Sequence, residues 1–95
     1  MPDPRLMVDS ETVLNPDRFV ELIEERFPQL EEVSWMPDEY RGMPCFRYNF
    51  NYCGSIHHIL VGHDGLKKNP QLIGSQALEG INSQVFATTI GLDDV

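Results

Sequence analysis

An α+β fold, with a small antiparallel sheet of three to four strands packed by two helices in two layers, is predicted by three observations. The first is strict alternation: Phe46, Tyr48, Phe50 and Tyr52 interleave with Cys45, Arg47, Asn49, Asn51 and Cys53, the period of a half-buried strand. The second is Gly54-Ser55, a turn signal that leads into a β-rich run from Ile56 to His63. A central hairpin over about 45–63 follows from it. The third is a repeated device, Asn15-Pro16 and Asn69-Pro70, in which asparagine caps a helix and proline takes its first position. A chain of 95 residues has room for one core. Residues 1–95 are therefore one domain with little stability to spare, for which dimerisation is a natural supplement.

Residues 1–14 carry two early prolines, Leu6-Met7-Val8 and Val13-Leu14, and read equally as a short edge strand or an ordered arm. A helix over about 16–27 follows, with Phe19, Leu22, Ile23 and Phe27 on one face and Pro28 as its stop. From Leu30 to Met36, Val33 and Trp35 alternate with Glu32 and Ser34, giving a first strand. Pro37 to Gly42 reads as the connecting loop. Beyond the hairpin, Asp64-Gly65 is a turn signal, and a second helix runs over about 70–82 with Ile73, Ala77 and Ile81 on one face. Gly74 and Gly80 each cost that helix about 1 kcal/mol relative to alanine. Val85 to Ile90 is β-branched and aromatic, a last strand or a continuation of the helix. The tail from Gly91 is expected to fray.

The net charge of −8 is unevenly placed. Residues 1–44 hold eleven acids and four arginines, whereas residues 45–92 hold Asp64 and Glu79 against Arg47, Lys67 and Lys68. Non-specific binding to nucleic acid or to an anionic membrane is disfavoured by this balance. A basic protein partner suits it, and so does plain solubility. No apolar run approaches the roughly 18 residues of a membrane span, and no leader segment is expected. Cys45 and Cys53 lie about 26 Å apart along one extended strand, far beyond the roughly 7 Å a disulfide bridges. Two free thiols point to a reducing, cytoplasmic location.

With Gly54-Ser55 as a two-residue loop, Tyr52 faces His57, Phe50 faces Ile59 and Tyr48 faces Val61 on the core side. On the other side Asn51 faces His58, Asn49 faces Leu60 and Arg47 faces Gly62. The second side gathers Arg47, Asn49, Asn51 and His58 into a candidate ligand- or partner-binding patch. Arginine offers a fork of donors, the amides both donors and acceptors, and histidine either charge state. The competing reading is an ordinary solvated sheet face. A one-residue slip of register exchanges the two faces.

Cys53 and His57 have nearly the spacing of zinc ligands. The pleat parts them, however, and His57 and His63 stand about 20 Å apart, so no metal or cofactor site is expected. Nucleophile elbow, phosphate loop and dinucleotide fingerprint are all absent, and no catalytic residue is nominated. These readings favour a small acidic binding protein (an inhibitor, immunity-type or adaptor module) that associates with a protein partner without catalysis. The alternative is a binder of a small anionic or nucleotide-like ligand, held by the patch and across a homodimer. A third reading is a hydrolase that uses His58 or His63.

Overall fold

The computed structural model describes residues 6–92. Four helices and four strands follow one another: α1 Ser10–Leu14, α2 Pro16–Arg26, β1 Glu31–Tyr40, β2 Met43–Tyr52, β3 Ser55–Gly62, α3 His63–Lys68, α4 Pro70–Asn82 and β4 Thr88–Ile90. The sheet order is β1-β2-β3-β4. The first three strands form the expected antiparallel meander, whereas β4 pairs parallel to β3. The sheet is thus mixed. The reason is topological: α3 and α4 carry the chain back to the end of the sheet where β3 began, the crossover that parallel pairing needs.

Both asparagine-proline devices work as read. Asn15 Oδ1 accepts from the Arg18 N–H and Asn69 Oδ1 from the Leu72 N–H, with Pro16 and Pro70 each opening its helix. Of the first arm, the described residues 6–14 hold no strand; Asp9 caps the short helix α1 by accepting the Thr12 N–H at 2.7 Å. Asp64-Gly65 lies inside α3 and is no turn. Residues 85–90 do not extend α4, which ends at Asn82 before the strand β4. Gly91 is held, its carbonyl accepting the Gly65 N–H at 3.0 Å. Fraying expected beyond Leu92 lies outside the described residues.

Two hairpin turns set the register. Arg41-Gly42 joins β1 to β2 and Cys53-Gly54 joins β2 to β3, with all four residues at positive φ between 52° and 80°. This is the left-handed pair of a type I′ turn, in which glycine suits the second position. The β2–β3 loop is therefore Cys53-Gly54 and not Gly54-Ser55. Tyr52 pairs with Ser55, Phe50 with His57, Tyr48 with Ile59, Asn49 with His58 and Arg47 with Leu60. Each β3 partner moves by two residues, an even step, so the membership of both faces is preserved. The loop assigned to residues 37–42 also shrinks, because β1 runs through Pro37 to Tyr40. Pro37 is tolerated there because β1 is an edge strand and the proline needs no N–H on its outer side.

All the helices pack on one side of the sheet. Their buried residues Val13, Phe19, Ile23, Leu66, Ile73, Ala77, Leu78 and Ile81 form one core with Tyr48, Phe50, Ile59 and Val61. Phe19 meets Tyr48 edge-on at 5.2 Å between ring centroids, and Trp35 donates its indole N–H to Asp17 at 2.7 Å, fastening β1 to α2. Among the described residues no helix lies on the opposite sheet face.

Candidate functional site

The bare face is built by the pleat alone. Period two sends Met36 and Ser34 of β1, Arg47, Asn49 and Asn51 of β2, His58 and Leu60 of β3 and Thr89 of β4 to the same side. All four residues of the candidate patch therefore share it. Asn49 sits directly between Ser34 and His58, forming one row across three strands. The next row runs Met36, Arg47, Leu60, Thr89. Met36 is 49% exposed and Ile56 79% exposed.

Two members of the patch are already engaged. Arg47 Nε donates to Asp38 Oδ2 at 2.8 Å, and Asn51 Nδ2 donates to Glu32 Oε2 at 2.6 Å. Neither carboxylate is evident in the residue pattern, where Asp38 falls in a loop-like stretch and the bulge near Glu32, at φ 53°, leaves no mark. The Arg47 guanidinium and the Glu39 N–H hold the Asp38 carboxyl below its ordinary range. By contrast, no hydrogen bond within the described residues uses the side chains of Ser34, Asn49 or His58. Burial, followed by the Arg47 charge, pushes the His58 imidazole below its ordinary range, with Asp38 pulling weakly the other way. His58 is thus neutral near pH 7, and all three groups of the row can both donate and accept.

A pH dependence follows with a definite sign. The folded state disfavours His58 protonation, so this contribution to stability is complete above the unfolded value of about 6.5 and is lost as pH falls through the window below it. Urea midpoints taken between neutral pH and about pH 5 are expected to fall less steeply in His58→Gln than in the parent. Equal slopes would refute the assignment.

Other chemistry does not converge. A shallow depression at the β1–β2 hairpin is lined by Asp38, Glu39, Cys45 and His63, but the pleat divides it. His63 stacks on Phe46 at 4.5 Å on the helix side, while Asp38 pairs with Cys45 on the other. Burial also raises the Cys45 thiol above its ordinary value, so the thiolate is scarce. Cys45 and Cys53 are unbridged. Among the described residues no cluster of three metal-ligating side chains forms, and no helix is long and apolar enough to cross a membrane.

The acids gather along the β1 side of this face, with Glu31 and Glu32 at its corner beside Asn51. Asp17, Glu21, Glu24 and Glu25 of α2 and Glu31, Glu32 and Glu39 of β1 are all exposed, on two elements that the Trp35–Asp17 bond ties together. They make an acidic wall along the β1 edge. No protein-family model, curated protein or solved structure matches the chain. The residues themselves carry the functional argument.

Proposed function

We propose that the protein is a small non-catalytic binding module, of the inhibitor, immunity or adaptor kind, that associates with a basic protein surface. The observation that carries this reading is the segregation of charge. Seven exposed carboxylates outnumber the exposed Arg18 and Arg41 along the α2–β1 wall, while Lys67 and Lys68 lie at the far end of α3. Such a net-negative wall steers an oppositely charged partner and speeds encounter, with less effect on the lifetime of the complex. The small-anion alternative has weaker support, because the Asp38 carboxylate sits on the one arginine of the patch.

Affinity capture from cells that make the protein tests the proposal, comparing the parent with the reversal Glu21→Lys/Glu25→Lys/Glu31→Lys. A specific basic protein is expected on the parent in low salt, released as salt rises and lost from the reversal variant. Its association rate should fall roughly tenfold or more. Capture that neither salt nor the reversal weakens would overturn the reading.

A further inference from the structure

The bare face adjoins the acidic wall at Glu31 and Glu32, and the chemistry of its central row is matched to itself. We infer that a second copy of this chain covers it, the two sheets packing face to face in a symmetric dimer with the helices outside.

Three features support a second copy as the occupant. The row Ser34, Asn49, His58 consists of neutral groups, each both donor and acceptor and each without a partner within the described residues. A two-fold axis through this row sets such groups opposite their own kind, and hydroxyl, amide and neutral imidazole pair in either sense. Arg47 is neutralised by Asp38, whereas Glu32, bound only by the neutral Asn51 amide, and Glu31, level with Asn51, keep their charges at one corner of the face. A two-fold axis along the row sets that corner against the row of Met36 and Arg47 and not against its own copy. The exposed acids of α2 and Glu39 stay at the periphery, where salt screens them beyond about 8 Å.

The size suits a weak, reversible association. Strands of ten, ten, eight and three residues, at about 3.3 Å per residue and about 4.8 Å apart, present roughly 500 Å² of sheet, below the roughly 800 Å² per partner of a standard interface. Sheets packed in this way lie about 10 Å apart. Met36 and Ile56, too exposed for a monomer to benefit from them, become buried contacts flanking the polar row. Strand addition at the edges is the poorer route. On β1, Pro37 has no N–H and the Glu39 N–H is already taken by Asp38 Oδ1 at 2.7 Å. β4 is three residues long, bounded by Ala87 and Gly91 at positive φ.

Sedimentation velocity of the full chain, from low to several hundred micromolar, tests the inference. A reversible dimer is expected that tightens as salt is raised, because two net-negative copies repel. The acidic wall's association with a basic partner has the opposite salt dependence, so each reading can fail without the other. Asn49→Lys places a charge at the centre of the interface and is expected to weaken the dimer roughly tenfold or more. Leu72→Asp, on the helix side, should leave it intact. A measurement on the parent alone guards against misfolded variants. Met36 and Met7 are 49% and 55% exposed, one on the face and one away from it. Hydroxyl-radical labelling should slow with concentration at Met36 and not at Met7. A monomer throughout, a dimer indifferent to Asn49→Lys, or equal labelling of the two methionines would each overturn the proposal.

Discussion

Gly65→Ala is expected to destabilise the domain by about 2–4 kcal/mol and to release β4. Helix propensity alone argues the reverse, since Gly65 lies inside α3, where alanine gains about 1 kcal/mol. Geometry decides against propensity. A Cβ on Gly65 would stand 2.5 Å from Gly91 Cα and 2.8 Å from Gly91 O, both backbone atoms with no rotamer to escape into. Gly91 is itself held, at φ 73°, by the hydrogen bond its carbonyl accepts from Gly65. Displacing it carries away the pairing of Thr88, Thr89 and Ile90 with Ile59, Leu60 and Val61. Urea unfolding reads the loss, and hydrogen exchange at the β3–β4 ladder shows where it falls. Gly80→Ala is the control. The nearest atom to its added methyl is Val85 O at 3.6 Å, so α4 should gain about 0.5–1 kcal/mol. A stabilised Gly65→Ala protein would show that the close approach of α3 to the tail is wrong.

The same pair of glycines explains what the chain concealed. The helices at Asn15-Pro16 and Asn69-Pro70 were legible because capping is a local transaction between an amide and an N–H three residues on. By contrast, α3 is six residues long, too short to hold itself, and is fixed by Gly91, far along the chain. Its Asp-Gly pair could only read as a turn. The parallel pairing of β4 was in principle available: a helical segment between two strands implies a crossover, and a crossover implies parallel strands. Pro37 misled in the other direction, since a proline ends most strands but is harmless on the outer side of an edge.

For the candidate site, composition and period two were enough to gather Arg47, Asn49, Asn51 and His58. That assignment survived a misplaced turn because the displacement was even. What each residue is free to do was not legible. Arg47 reads as an available cation until β1 is extended to Asp38, and Asn51 reads as an open amide until Glu32 is brought round by the bulge. Those partners come from the neighbouring strand, whose register depends on a second turn at Arg41-Gly42. Parity is a property of one strand, whereas partnership needs two. The free row of Ser34, Asn49 and His58 therefore emerges only in the folded chain.

Tyr48→Ala is expected to have the largest effect of any single substitution proposed, about 3–5 kcal/mol. A small domain holds only about 5–15 kcal/mol in total, so the variant should lose a large share of its stability and its urea midpoint should fall accordingly. Tyr48 is 1% exposed at the centre of β2, packed edge-on against Phe19 of α2 and paired across the sheet with Trp35 and Ile59. Removing the ring empties the contact that joins the two layers. Its hydroxyl adds a pH dependence that Tyr48→Phe isolates. Burial first, and the negative charge of Asp17 second, push the phenol above its ordinary value of 10. The folded state thus holds the proton that the unfolded state gives up. This contribution is complete below about pH 10 and is lost as pH rises from there towards the folded value. The parent should lose stability steeply on the alkaline side of pH 10, and Tyr48→Phe should lose it less steeply while unfolding at a similar urea concentration near neutrality. Matching alkaline slopes in the two proteins would place the phenol in water, and the layer contact at Phe19 would have to be redrawn.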